Sequence, residues 1–101
     1  MLGIPRNIEG TATVAGETFN LKTYLKTSLP GNTGPDVSAL SVHLQIDNQD
    51  QQKAMYISFD NGDSWLPIAA DGSWDGEVRV YSFKTKSDNA NVAWRGIASF
   101  A

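Results

Sequence analysis

The sequence has 101 residues, no cysteine and a formal net charge of −3. The lack of cysteine excludes disulfides, thiolate metal sites and cysteine nucleophiles, and the excess of acid argues against nucleic-acid binding, which needs clustered lysine and arginine. The length predicts one domain with a single thin core, and no stretch reaches the roughly 20 apolar residues of a membrane-spanning helix.

The first residues predict an arm rather than part of the folded body. Leu2 and Ile4 are apolar but have no periodic partners, and Pro5 disfavours the interior of a regular strand. We therefore assign residues 1–7 to an N-terminal arm that either frays or docks on a neighbouring subunit, with Leu2 and Ile4 as candidate interface residues. Residues 8–101 are assigned to a single β-sandwich domain.

Apolar and polar residues alternate with a period of two along much of the chain, which indicates β-strands. The clearest strand is 39–47, where Leu44 and Ile46 face one way and His43, the only histidine, faces the other. The predicted strands are 8–14, 18–27, 39–47, both arms of a hairpin over 55–68, 77–84 and 91–101, with turns at 69–72 and 85–90. This pattern predicts an all-β fold, a single antiparallel β-sandwich or jelly-roll-like barrel of about six to eight strands.

Residues 28–38 form the longest segment rich in glycine and proline, and they rule out a regular strand there. A loop this long in so small a chain is commonly functional or held by a partner. We predict an interface loop with Pro30, Asn32 and Pro35 as candidate contacts. A passive surface loop is the alternative that the sequence leaves open.

The segment around Asn61 and Gly62 carries the strongest local signal, because both residues tolerate the positive φ of a tight hairpin turn. Its pattern, Ser-x-Asp-x-Gly-x-x-Trp, resembles the Asp-box, a hairpin turn of sialidase-type propellers and several unrelated β proteins. The resemblance implies a structural turn formed by Ser58, Asp60, Asn61, Gly62 and Trp65. A Ca²⁺ or glycan site on Asp60 and Asp63 is the alternative, although two carboxylates fall short of the 6–8 oxygen ligands of calcium.

Two tryptophans bear on possible contacts. Trp65 is expected to pack across the hairpin or into the core, whereas Trp74 lies between turn residues and is expected to be a partly exposed interface anchor. A carbohydrate-binding surface is the competing interpretation. It would use Trp65, Trp74 and Tyr81 for stacking and Asp60, Asp63 and Asp75 for hydroxyl groups.

From residue 39 to residue 100 the chain resembles small β-sandwich proteins of tailed-phage virions. Their shared pattern is a "sFDgG..W.pL" hairpin, a glycine-containing turn and a later "i.vKs" strand. Here it is carried by Ser58-Phe59-Asp60-Asn61-Gly62, by Trp65-Leu66-Pro67-Ile68 and by Phe83-Lys84-Thr85-Lys86-Ser87. The resemblance implies a virion structural protein synthesised in the host cytoplasm, either a capsid decoration (cement) protein or a component of the head, neck or tail.

The expected partners are the major capsid protein or other virion proteins, and the expected state is a homo-oligomer, with a trimer as one option. Nucleic acid and membrane are not expected as partners. We expect no enzymatic activity, no catalytic residue, no metal and no cofactor, because His43 has neither a nucleophile nor a metal partner indicated. The alternative function is a carbohydrate-binding or tail- or neck-associated adhesion module.

Overall fold

The computed structural model describes residues 4–21 and 41–100 of the chain. Eight β-strands occupy most of this part. They are β1 (Ile4–Ala12), β2 (Glu17–Asn20), β3 (Ser41–Asn48), β4 (Met55–Ser58), β5 (Leu66–Ile68), β6 (Ser73–Gly76), β7 (Ser82–Ser87) and β8 (Val92–Phe100).

The strands form two four-stranded sheets that pack face to face. Sheet 1 has the order β1-β8-β3-β6 and sheet 2 has the order β2-β7-β4-β5, and every strand pair in both sheets is antiparallel. The predicted all-β class, a small antiparallel β-sandwich, is confirmed. Neighbouring strands are mostly distant in sequence, because the chain passes repeatedly from one sheet to the other.

Strand β8 shows how alternation builds the core. Val92, Trp94 and Ala98 point into the sandwich and are buried, whereas Arg95 and Ile97 point to solvent. Both sheets contribute such inward positions, and burying these side chains is the main stabilising term of the fold. The buried apolar residues are Ile8, Ala12, Leu21, Leu44, Ile46, Met55, Ile57, Ile68, Phe83, Val92, Trp94 and Ala98.

The indole of Trp94 lies at the centre of the aromatic part of this core. Its ring centroid is 5.0 Å from that of Phe19, in an edge-on arrangement, and 5.7 Å from that of Phe83. Gly10 lies opposite Trp94 in the register of β1 and β8, and a Cβ at Gly10 would be 2.6 Å from the indole ring. Glycine is therefore required in β1 so that the indole can lie across it.

The prediction of an N-terminal arm over residues 1–7 is wrong for residues 4–7, because β1 begins at Ile4, and residues 1–3 lie outside the described residues. Ile4 pairs with Phe100 and Pro5 pairs with Ser99 in the ladder between β1 and β8. Proline is tolerated here because β1 is the outer strand of sheet 1, where a missing N–H interrupts no second ladder.

The strand predicted over 77–84 is wrong in its boundaries. The structure has β6 at Ser73–Gly76 and β7 at Ser82–Ser87, while residues 77–81 belong to neither strand and cross from sheet 1 to sheet 2. The predicted turn over 85–90 is correspondingly too long. The alternation between exposed and half-buried positions runs on through 77–81, so the period gave no sign of where β6 ends. It shifts by one residue at β7, where Phe83 is buried although Tyr81 is exposed.

Two other segments are described only in part. The strand predicted over 18–27 is present as β2 at Glu17–Asn20, and its remainder beyond residue 21 lies outside the described residues, as does the predicted interface loop 28–38. The strand predicted over 39–47 is β3, Ser41–Asn48.

Candidate functional site

The hairpin between β4 and β5 makes its turn with two left-handed residues. The angle φ is 62° at Asn61 and 91° at Gly62, a region that asparagine and glycine adopt at low cost. The Gly62 N–H donates to the hydroxyl oxygen of Ser58 at 2.9 Å. Ser58 is the last residue of β4 and is almost completely buried, so this bond fixes the tip of the turn to sheet 2.

The carboxylate of Asp60 is the centre of hydrogen bonding in the turn. It accepts from the Ser58 hydroxyl at 2.7 Å, from the backbone N–H of Ser64 at 2.9 Å and from the Ser64 hydroxyl. The Ser64 hydroxyl, then the Ser58 hydroxyl and then the Ser64 N–H lower the pKa of Asp60 from 3.8 to about 2. Since every one of these donors belongs to the hairpin, the carboxylate serves the local structure.

The alternative of a Ca²⁺ site at Asp60 and Asp63 gains nothing from this geometry. Asp60 is engaged within the turn, and the Asp63 N–H donates to the Asp60 carbonyl at 3.3 Å. Within residues 4–21 and 41–100, no three side chains of the histidine, cysteine, aspartate and glutamate types are grouped to hold a metal ion.

Asn48 has a structural role that the sequence analysis missed. Its side-chain N–H₂ group donates to the carbonyls of Lys53 at 2.8 Å and Ile68 at 3.2 Å, and its side-chain oxygen accepts from the Asp50 N–H at 2.8 Å. Asn48 therefore joins the end of β3 in sheet 1 to β5 in sheet 2. The available signal was its position, because Asn48 occupies the next inward place in the alternation of β3 and is buried.

The outer face of sheet 2 carries four side chains that contact one another, Tyr56, Trp65, Lys86 and Asp88, which we call the aromatic–lysine cluster. The Lys86 ammonium lies 4.4 Å from the centroid of the Trp65 ring and 5.6 Å from that of Tyr56, within the range of cation–π attraction. The Tyr56 hydroxyl donates to Asp88 Oδ2 at 2.9 Å, and this bond raises the pKa of Tyr56. Lysine, tyrosine and tryptophan thus hold one another in place on the sheet surface.

Of the two placements expected for Trp65, across the hairpin or into the core, the structure shows packing against the hairpin turn and not into the core. Trp65 is half-buried and contacts Lys86, whose neighbours in β7 at the inward positions are the buried Thr85 and Ser87. Lys86 therefore faces away from the core, and Trp65 lies with it on the outer face. The edge of the indole also approaches the turn, 3.6 Å from the position of a Cβ on Gly62.

The residues considered for a carbohydrate surface do not come together on one face. Trp74 packs against Phe59 with ring centroids 5.0 Å apart and belongs to the partly buried layer around the core, whereas Trp65 lies on the outside of sheet 2 beneath Lys86. Tyr81 is 61% exposed and lies in the crossing before β7. A flat stacking surface made of all three rings is therefore absent.

The candidate interface residues are only partly described. Leu2, Pro30, Asn32 and Pro35 lie outside the described residues. Ile4 contributes its backbone to the ladder with β8, and Trp74 is a half-buried residue of β6, the other outer strand of sheet 1. His43 is exposed on the outer face of sheet 1. In the part of the chain that the structure describes, no helix is long and apolar enough to cross a membrane.

Comparisons with known proteins support the fold but identify no function. No family model and no curated protein matches the sequence. An HTH_3 family transcriptional regulator from Vibrio cholerae is similar with a TM-score of 0.58 and 9% identity over 96% of this chain, which spans 43% of the regulator's length. A protein of the disulfide-linked pili of Bacillus endospore appendages is similar with a TM-score of 0.49 and 10% identity over 97% of this chain and 87% of its own. At 9% identity the likeness to the regulator concerns the fold alone.

Proposed function

We propose that this protein is a structural component of a tailed-phage virion, and specifically a capsid decoration protein that stabilises the shell through protein–protein contacts. The observation that carries the proposal is the hairpin of β4 and β5. Its sequence follows the pattern shared by small virion β-sandwich proteins, and its polar side chains bond to one another within the turn rather than towards a ligand. The hairpin then acts as a rigid element of the scaffold, and the surfaces of the protein make the contacts with its partners.

The surface offers side chains suited to such contacts. Tyr81 is 61% exposed, Leu66 is 43% exposed and Ile97 is 41% exposed, and large apolar groups of this kind supply much of the energy of protein–protein interfaces. The aromatic–lysine cluster adds two rings whose positions are already fixed. Fixed side chains favour binding because less conformational freedom is lost when a partner covers them.

A reconstitution experiment tests the proposal. Virions lacking the protein are prepared by deleting its gene from the phage that encodes it, and purified protein is added back. We expect the added protein to bind the empty positions in cryo-electron microscopy maps and to raise the temperature at which the particles release their genome. Density at the neck or tail would move the role to those structures, and protein that binds no part of the particle would refute the proposal.

A further inference from the structure

We propose that Asn61 is a latent deamidation site, which the folded hairpin keeps unreactive and which becomes reactive when the turn opens. The inference goes beyond the proposed function, because it concerns the covalent chemistry of the turn and holds whatever the protein binds. It arises from two observations at the tip of the hairpin. These are the left-handed conformation of Asn61 and Gly62 and the bond that joins the Gly62 N–H to Ser58.

Asn61 and Gly62 form the only asparagine–glycine pair in the sequence. Spontaneous deamidation begins when the backbone nitrogen of the following residue attacks Cγ of the asparagine. An N–Cγ bond forms, the bond from Cγ to the side-chain nitrogen breaks, and that nitrogen leaves as ammonia with the proton of the attacking N–H. Water then opens the cyclic succinimide at either carbonyl and leaves aspartate or isoaspartate. Glycine favours the attack because it has no side chain to hinder its nitrogen.

The folded turn holds the two reacting atoms apart. The φ angles of 62° at Asn61 and 91° at Gly62, together with the bond from the Asp63 N–H to the Asp60 carbonyl at 3.3 Å, define a type I′ turn. The angle ψ of the first central residue in such a turn is about 30°, which places the next nitrogen anti to Cβ across the Cα–C bond. The Gly62 nitrogen therefore points away from Cγ of Asn61, and ring closure requires a large rotation about that bond.

Ser58 opposes this rotation. Its hydroxyl oxygen accepts the Gly62 N–H at 2.9 Å, and its hydroxyl donates to the Asp60 carboxylate at 2.7 Å. Ser58 lies at the end of β4 and is only 1% exposed, so its oxygen cannot follow the amide as it turns. The attack also uses the nitrogen after its proton is lost, and that proton is the one held by Ser58. The reactive conformation is therefore reached only after this bond breaks.

The bonds of Asp60 restrain the same turn from its other side. The Asp60 carboxylate accepts the Ser64 N–H at 2.9 Å and the Ser64 hydroxyl. Opening the tip therefore breaks at least three bonds together, those of Gly62 to Ser58, Asp63 to Asp60 and Ser64 to Asp60. Each net bond shifts the closing equilibrium by a factor of about five, so the open fraction is about one in a hundred. The deamidation rate of the folded chain should be lower than that of the unfolded chain by the same factor.

The two products differ in their effect on the hairpin. Isoaspartate adds a methylene group to the main chain before Gly62, so a two-residue turn gains a backbone atom and the Gly62 N–H no longer meets Ser58. Aspartate keeps the length of the main chain and tolerates the left-handed region. Isoaspartate should therefore prevent the hairpin from closing again, whereas aspartate should not.

Peptide mapping by mass spectrometry tests the protection. Trypsin cleavage after Lys53 and Arg79 releases a peptide in which Asn61 is the only asparagine. Deamidation raises the mass of this peptide, and chromatography separates the aspartate form from the isoaspartate form. The folded wild type should react about 100-fold more slowly than the same chain unfolded in guanidinium chloride at the same pH and temperature. Comparable rates in the two states would overturn the proposal.

Two variants test the bonds that carry the protection. Folded S58A should deamidate about tenfold faster than the wild type, because the Gly62 N–H loses its acceptor. S64A removes one bond to the Asp60 carboxylate and no buried group, and its rate should rise by about threefold. The matched control S73A, at an exposed serine of β6, should react as the wild type does. Thermal unfolding gives an incubation temperature at which each variant is folded, and S64A keeps the test valid if S58A does not fold. Wild-type rates in the folded variants would overturn the role of these bonds.

The stability of the two products tests the consequence. N61D, which has the main-chain length of the aspartate product, should unfold at nearly the wild-type Tm. A chain that is deamidated while unfolded and then refolded should contain an isoaspartate fraction with a lower Tm. An isoaspartate fraction that unfolds at the wild-type Tm would contradict the predicted loss of the hairpin.

Discussion

Replacing Ser58 with alanine removes the one side chain that links the hairpin turn to the buried part of sheet 2. The Ser58 hydroxyl is buried, accepts the Gly62 N–H at 2.9 Å and, more weakly, the Asp60 N–H at 3.4 Å, and donates to the Asp60 carboxylate. Alanine keeps the strand backbone and the Cβ atom of Ser58. The substitution therefore isolates the hydroxyl and its bonds.

The expected loss follows from those bonds. An intramolecular hydrogen bond makes a net contribution of about 1 kcal/mol to stability, and leaving a backbone N–H without an acceptor adds to the destabilisation. The bond from Gly62 is short and the one from Asp60 is long, so we expect the free energy of unfolding to fall by about 1.5 kcal/mol. In a domain of about 100 residues this change lowers Tm by about 6–12 °C.

Differential scanning calorimetry of S58A against the wild type measures this loss. Ser73→Ala is the matched control, because Ser73 lies in β6 and is exposed, and its Tm should change by under about 2 °C. An S58A protein that kept the wild-type Tm would refute the structural role of the turn. If that protein also failed to bind virions, the turn would belong to a binding site instead.

Three further predictions concern the turn and the core. Because hydrogen bonds depress the pKa of Asp60 to about 2, its contribution to stability is complete above about pH 4 and is lost as the pH falls towards 2, so D60N should flatten the pH dependence of unfolding in that window. Gly96→Ala should lower the free energy of unfolding by about 3 kcal/mol, because the new Cβ would lie 2.0 Å from the Gln45 carbonyl oxygen in β3. Gly76→Ala should lower it by only about 1 kcal/mol, because the new Cβ meets only side-chain atoms, at 3.0 Å. Trp94→Phe should destabilise by only about 1 kcal/mol, because the buried indole N–H has no acceptor among the described residues and its removal offsets part of the lost packing.

Each of these has a measurement that can contradict it. Urea unfolding between pH 2 and pH 5 that gives parallel profiles for the wild type and D60N would rule out the depressed pKa. Equal stabilities for the Gly96 and Gly76 variants would mean that β3 and β8 are not in the described register. A loss above about 3 kcal/mol in W94F would indicate an acceptor for the indole N–H.

The parts of the fold that were predicted correctly are those in which one residue pattern serves one sheet. In β8, inward and outward positions alternate from Val92 to Ile97 without interruption, and the predicted strand over 91–101 agrees with the observed Val92–Phe100. The strand β3 was predicted for the same reason. Alternation is sufficient there because one face of the strand meets the core and the other meets solvent.

The prediction failed at a change of sheet. From Ser73 to Tyr81 the exposed and half-buried positions alternate without a break, although β6 ends at Gly76. The more buried positions shift by one residue only at β7, which belongs to sheet 2 and buries Phe83. An extended chain keeps its period of two whether or not it has a neighbouring strand. The period therefore reports extension and burial, and the ladder partners have to be known from the structure.

The surface cluster shows a second reason for the limits of sequence. The Asp-box-like pattern located the turn, because Ser58, Asp60 and Ser64 act within seven residues of one another. The position of Trp65 depended on Lys86, which is brought near by the pairing of β4 with β7. Contacts between residues so far apart in the chain follow from strand order, and no local pattern contains that order.

The copy number of the protein in purified virions is the most direct test of the claim that it is a capsid decoration protein. Quantitative mass spectrometry against labelled peptides of this chain and of the major capsid protein provides the ratio. If this chain is a decoration protein, its copy number should stand in a fixed ratio to that of the major capsid protein and be close to the number of shell subunits. Absence from the particles, or trace amounts that vary between preparations, would contradict the proposed function.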